Sequence, residues 1–221
     1  MGETRKKYLP AAGHDWLLPL YDPFVKLFGG DRARRELIDQ AGIRSGDHVL
    51  EIGCGTGTLV TVIKRLHPDV TVVGLDPDPK ALARARRKAQ RAAVSIQFDR
   101  GFSHELPYPD ESFDRVFSSF MFHHLDSEVK LKTLSEVRRV LKPGGFLHLL
   151  DFGGPKSSSN RFLARLFHSS HRLRDNFDGG IITLMSQSGL SDPKEVSHRN
   201  TLVGPIAYYQ ASVVGSESNT A

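Results

Sequence analysis

The run Glu51-Ile52-Gly53-Cys54-Gly55-Thr56-Gly57 holds the richest chemistry in this sequence. A buried strand, His48–Ile52, leads into a turn whose glycines permit positive φ and close approach of a ligand to the backbone. The helix that follows offers free N–H groups at its start. The glycines stand at 53, 55 and 57, whereas a dinucleotide fingerprint wants its third glycine where Thr58 stands. Glu51, placed just before the turn, repels a pyrophosphate and attracts a cation. At the end of the next strand Asp76 sets a carboxylate 19 residues beyond Gly57, a spacing that suits hydrogen bonds to ribose hydroxyls. The pattern points to a nucleoside that carries positive charge and no phosphate. A second cluster, His123-His124, follows the fourth strand at the expected pocket mouth. Imidazole titrates near neutrality, so either ring is a candidate general base. The competing role for each is to pack or hydrogen-bond the adjoining loops.

These residues need a frame that brings strand ends together. From His48 the chain alternates short apolar runs with helical patterns: strands at His48–Ile52, Val70–Leu75, Ser95–Phe98, Asp114–Ser118 and Phe146–Leu150, helices at Thr58–Leu66 and Ser127–Leu141. Between the second and third strands a helix starts with Asp78 as N-cap and Pro79 at its first position. Lys142-Pro143-Gly144-Gly145 breaks the chain before the fifth strand. Repeated strand–helix units of this length require parallel pairing through helical crossovers. Ile181–Ser188 reads as a further helix, and Glu195–Thr201 with Pro205–Ala211 as a final strand pair. The expected fold is α/β, a doubly wound, mostly parallel seven-stranded sheet with helices on both faces. Upstream, Asp22–Phe28 and Asp31–Ala41 read as two short helices of an N-terminal arm. The expected layout is a single domain: an arm over 1–45, a cofactor-binding core over 46–151, a lid and last strands over 152–214, and a disordered tail over 215–221.

S-adenosylmethionine, with a sulfonium and an ammonium and no phosphate, fits the ligand described above. From His48 to Asp151 the sequence resembles the class I S-adenosylmethionine-dependent methyltransferases, particularly the small-molecule group that includes quinone-biosynthesis enzymes. The further landmarks are Leu106-Pro107-Tyr108, Ser112-Phe113-Asp114, Phe122-His123-His124-Leu125 and Val140-Leu141-Lys142-Pro143-Gly144-Gly145. The resemblance implies a Rossmann-like methyltransferase fold. It places the methionine moiety at Glu51, Gly53, Cys54 and Gly55 within the turn that Gly57 closes, and the ribose on Asp76. Pro77 then supports the adenine, Ser118 and Ser119 lie near the amino-acid end, and Tyr21 folds over the cofactor from the arm. One departure stands out. The family often has an acidic residue after the third strand to accept from the adenine amino group, and here that position is Phe102. The Ser103 amide is left to read a ring nitrogen, with Asp99 or Glu105 as substitutes for the acid.

Composition narrows the alternatives. The 221 residues, 39% hydrophobic and 25% charged, suit one globular domain. No apolar run approaches a membrane span, and the first residues show no apolar signal core, so a cytoplasmic protein is expected. One cysteine permits no internal disulfide. The same residue, Cys54, has no activating base beside it and is not expected to act as a nucleophile. No metal ligand set is complete. The net charge of +5 is concentrated in Lys80–Arg91, where the basic residues surround an Ala81/Leu82/Ala85/Ala89 stripe, as on a solvated helix covering a sheet. No nucleic-acid signature accompanies it. Arg161–Arg174 reads as an amphipathic lid, whose apolar face suits a hydrophobic substrate; membrane contact is not indicated. The expected activity is C- or O-methylation of a small aromatic or lipophilic acceptor. The alternatives are a methyltransferase for a macromolecule, a non-catalytic cofactor-binding partner protein and, against the glycine spacing, a dehydrogenase.

Overall fold

The apolar runs pair into one seven-stranded sheet. The structure is a computed structural model and describes residues 30–154, 175–176, 179–201 and 204–215. Tyr21, the Asp22–Phe28 and Arg161–Arg174 helices and the 216–221 tail lie outside the described residues. In chain order the elements are α1 (Gly30–Gln40), β1 (His48–Ile52), α2 (Thr58–Leu66), β2 (Thr71–Asp76), α3 (Pro79–Arg91), β3 (Gln97–Arg100), β4 (Phe113–Ser119), α4 (Ser127–Val140), β5 (Leu141–Phe152), α5 (Gly180–Gln187), β6 (Ser191–Thr201) and β7 (Gly204–Ser212), with a 3-10 turn at Phe122–His124 before α4.

The strand order is β3-β2-β1-β4-β5-β7-β6. The first five strands pair in parallel, and β7 inserts antiparallel between β5 and β6. β1 and β2 are buried at every position but the first, which explains their near-continuous Val/Leu/Ile content: helices cover both faces. One face carries α1, α2 and α3 through Leu37, Leu59, Ile63, Leu82 and Ala85. The other carries α4 and α5 through Leu134, Val137, Ile181 and Met185. On α3 the stripe Ala81, Leu82, Ala85 and Ala89 is buried. Part of its basic fringe works within the fold: Arg86 donates to the Phe98 carbonyl, and Lys88 to the Thr56 and Thr58 hydroxyls.

The strand order reverses between β1 and β4. A crevice opens above the carboxyl ends of the strands at such a switch point. Glu51, Asp76, Ser119 and Asp151 stand at or next to the ends of β1, β2, β4 and β5 and face one edge of the sheet. The Lys142–Gly145 segment ends α4 as expected, but it does not stand outside the sheet. Leu141 already pairs with Phe113, and a register shift absorbs the next residues before Phe146 pairs with Arg115. Gly144 and Gly145 exchange backbone hydrogen bonds with Val213, so the breaker becomes a bulge held by the chain leaving β7.

Gly57 shows how tightly the turn is held. It precedes α2 with φ 73°, and a Cβ there would lie 2.8 Å from Ala85 Cβ on α3. Gly57→Ala adds left-handed strain to overpacking and is expected to cost about 2–4 kcal/mol. A fall in the urea midpoint with an unchanged m value checks this; an unchanged midpoint would mean that α2 and α3 slide apart freely.

Candidate active site

The glycine turn is stitched to β2 by its own backbone. Cys54 N–H donates to the Leu75 carbonyl at 2.9 Å, and Gly57 N–H to the Cys54 carbonyl at 2.8 Å. The Asp76 carboxylate takes the Gly55 N–H at 2.8 Å on one oxygen and the Asp78 N–H at 2.9 Å on the other. Asp76 therefore fixes the turn while keeping lone pairs for a hydroxylated ligand. Burial pushes its pKa up to about 6, against the pull of those two amides. Gly53 and Gly55 both have positive φ, but they use the missing side chain differently. A Cβ on Gly53 would strike Met121 Cγ at 2.3 Å, whereas one on Gly55 would meet open space. Gly53 lets the wall close, and Gly55 lets a ligand approach.

A cavity of about 440 Å³ adjoins the turn. Gly53–Thr56, Asp76–Asp78, Phe102–His104, Ser119–Met121 and His124–Asp126 contribute to its walls, together with Arg34 from α1. Glu51 sits behind this wall, 2% exposed. Ser119 donates to its Oε1 at 3.1 Å, and its Oε2 has no hydrogen-bond partner among the described residues. Burial pushes Glu51 up to about 8, opposed by Arg34 and the Ser119 hydroxyl. An orphaned buried carboxylate oxygen beside an open glycine favours a cationic hydrogen-bond donor.

The paired candidates separate. Ser119 lines the cavity, while Ser118, the alternate residue on β4, is fully buried on the other face with its hydroxyl unpartnered. Phe102, Ser103 and Pro77 line the same cavity. Ser103 turns its hydroxyl to Thr133 at 3.0 Å, inside a turn closed by Glu105 N–H on the Phe102 carbonyl. Neither Asp99 nor Glu105 is on the cavity wall; Asp99 instead accepts from Tyr108 and Gln97. Cys54 lines the turn, and burial raises its thiol well above the ordinary value, which keeps it protonated.

The two histidines also divide. His124 is on the cavity wall. His123 packs against His124 at 4.0 Å between ring centroids and edge-on to Phe152. Its Nδ1 lies 2.7 Å from Asp151 Oδ1, and its backbone N–H donates to Oδ2 at 3.1 Å. Asp151 is fully buried. Burial alone would raise it, but His123 and the amides of Phe152 and His123 outweigh that and hold it below the usual carboxylate range. An ionised acceptor at Nδ1 requires Nδ1–H, which leaves the Nε2 lone pair free to act as a base. Lys130, also fully buried, bonds Asp175 and Asn176 at 3.2 Å each, and Asn176 donates to the Phe152 carbonyl. These contacts brace the end of β5.

Sequence reasoning missed Arg34, Phe120, Met121 and Asp151. Asp151 had a signal, the strand-end logic already applied to Asp76. Arg34 had one too, since it falls on the stripe that Ala33, Leu37 and Ile38 bury. Phe120 had none: it adopts φ 54°, a strained state for an aromatic residue, held by its N–H on the Leu150 carbonyl.

Comparison with known proteins places this geometry in a family. Residues 49–145 match a family described as a methyltransferase domain. A demethylmenaquinone methyltransferase of Deinococcus radiodurans is 34% identical over 208 residues, covering 90% of this chain and 86% of that protein. One from Thermus thermophilus is 37% identical over 155 residues, covering 68% and 69%. Among solved structures, the YcgJ protein of Bacillus subtilis superposes with a TM-score of 0.69 at 20% identity, over 84% of this chain and 99% of that one. The chain thus belongs to the class I S-adenosylmethionine-dependent methyltransferases of the quinone-biosynthesis group.

Proposed function

We propose that this protein transfers a methyl group from S-adenosylmethionine to a carbon or oxygen of a small, lipophilic aromatic acceptor of the hydroxyquinone type. The observation that carries the acceptor reading is the cavity wall beyond the turn. Phe120, Met121, Leu125 and Val129 form an apolar surface next to His124, with the His123–Asp151 pair beside that ring. The relatives' named substrate, demethylmenaquinone, has the matching chemistry. The whole chain acts as one methyltransferase domain. Among the described residues no helix is long and apolar enough to cross a membrane, and we place the reaction in the cytoplasm.

In this reading Glu51 takes the donor's ammonium, Gly53, Cys54 and Gly55 flank its methionine moiety within the turn closed by Gly57, and Asp76 takes the ribose hydroxyls. Pro77, Phe102 and Ser103 border the adenine, and Ser119 holds Glu51 in place. The sulfonium supplies an activated methyl group. The protein's task is then alignment, exclusion of water and removal of a proton from the acceptor hydroxyl. His123 is the base, its Nδ1–H fixed by Asp151, and His124 shapes the wall. The test is transfer of labelled methyl from S-adenosylmethionine to a short-chain 2-demethyl-1,4-naphthoquinol. Labelled product is expected. Tight donor binding with no transfer to this or other hydroxyaromatics would refute the reading.

Phe102 packs against the purine face without accepting from its amino group. Phe102→Asp restores that acceptor and is expected to leave S-adenosylhomocysteine affinity unchanged or tighter by calorimetry. Weakening by about tenfold, or 1.4 kcal/mol, would show that ring contact outweighs the hydrogen bond.

A further inference from the structure

α4 buries a lysine to which the proposed reaction gives no task. The Lys130 side chain is fully buried, and burial pulls its pKa down against the attraction of Asp175. A buried ammonium is costly to keep, so its partners are informative. Its Nζ lies 3.2 Å from Asp175 Oδ2 and 3.2 Å from Asn176 Oδ1, and Asn176 is 2% exposed. Asp175 neutralises the ammonium, its Oδ2 also taken by the Ser127 hydroxyl at 2.7 Å. An ammonium only donates, so the Asn176 atom that faces it must be the carbonyl oxygen. That choice fixes the amide, whose NH₂ is turned to the Phe152 carbonyl at 3.0 Å. Without Lys130 the amide is free to turn over and set oxygen against oxygen.

At Phe152 this chain of bonds reaches the chemistry. The Phe152 N–H donates to Asp151 Oδ1 at 2.7 Å, the oxygen that also holds His123 Nδ1. Its ring packs edge-on against His123, 4.9 Å between centroids. One residue thus orients both the carboxylate and the imidazole, and Asn176 holds its carbonyl. We infer that Lys130 is a positioning residue for methyl transfer: through Asn176 and Phe152 it sets the Asp151–His123 pair so that the ring presents Nε2 to the acceptor hydroxyl. The inference rests on His123 being the base of the proposed reaction.

Two variants test it. Lys130→Met frees the amide, and Asn176→Asp keeps an oxygen for Lys130 but removes the NH₂ that Phe152 needs. The second retains a partner for the buried ammonium, so it carries the test if the first does not fold. At pH 8 both are expected to lower turnover of the short-chain 1,4-naphthoquinol about tenfold, within the cost of a misplacement of about 1 Å. Acceptor KM and S-adenosylhomocysteine affinity should stay unchanged. Nitrogen NMR of ¹⁵N-histidine protein should show the His123 proton on Nδ1 alone in the unmodified enzyme and shared between both nitrogens in the variants. A brace that only stabilised the fold would lower the unfolding midpoint and leave that spectrum as it was. Unchanged turnover with an unchanged His123 spectrum in Asn176→Asp overturns the inference. So does an equal fall of turnover and S-adenosylhomocysteine affinity, which marks general loosening of the cavity. Absence of methyl transfer by the unmodified protein removes the base itself, and with it the inference, whatever the nitrogen spectra show.

Discussion

Replacing Glu51 with Gln is expected to weaken S-adenosylhomocysteine binding about 10- to 100-fold at pH 8 and to flatten its pH dependence above pH 6. In the free protein, burial holds the Glu51 pKa at about 8, so near pH 7 the carboxyl is mostly protonated. An ammonium placed against Oε2 favours the carboxylate, and binding must then release the proton. Affinity is therefore within about twofold of its limit at pH 8 and falls, approaching tenfold per pH unit, as pH drops below that. Calorimetry at pH 7 in buffers of different ionisation enthalpy should read close to one proton released, and none in Glu51→Gln. Asp76, raised to about 6 by burial, imposes a second fall below that pH, which the variant keeps. The linkage has the opposite sign for the ligand-free fold. A carboxyl whose pKa is raised on folding loses stability as pH rises from the ordinary carboxylate range toward 8, so Glu51→Gln should be the more stable protein at pH 8 without ligand. Wild-type affinity that does not vary between pH 6 and 8 would break the argument at its first step.

What the sequence made legible follows the range of the interactions concerned. β1 and α2 fall at His48–Ile52 and Thr58–Leu66 as expected, and Asp78 caps α3 by accepting from Lys80 N–H. Glycine, proline and cap chemistry act within a few residues, so local pattern suffices. The same holds for the turn, where positive φ at Gly53, Gly55 and Gly57 is what their spacing demanded. What escaped depends on distant partners. Asp151 meets His123 across 28 positions, and nothing near either residue announces the pair. The split between Ser118 and Ser119 needs the register of β4 against β1 and β5, because a shift of one residue exchanges the faces. Arg34 was hidden by type. A charged residue on an apolar stripe is readily assigned to the stripe's edge, and only the folded cavity shows it on the wall. The bulge at Lys142–Gly145 escaped because glycine and proline signal a break equally well inside a sheet and beyond it.

The largest expected effect lies at the pair that no local pattern revealed. His123→Ala should lower turnover of a 1,4-naphthoquinol by about 10²–10⁴, the usual worth of a positioned general base, with S-adenosylhomocysteine affinity unchanged because His123 is not among the residues assigned to the donor. Asp151→Asn separates tautomer control from simple presence of the ring. An amide whose oxygen keeps the His123 N–H at the Oδ2 position turns its NH₂, in place of Oδ1, toward the ring Nδ1. It then stabilises the Nδ1 lone pair and puts the proton on Nε2, where a base is needed. The variant should keep the imidazole in place yet lose most of the turnover, and raising the pH should not restore it, since the tautomer and not the protonation state is wrong. Loss in His123→Ala with full activity in Asp151→Asn would leave His123 as base and make Asp151 only a brace. Full activity in both would mean that the acceptor arrives already ionised, and that the enzyme contributes alignment alone.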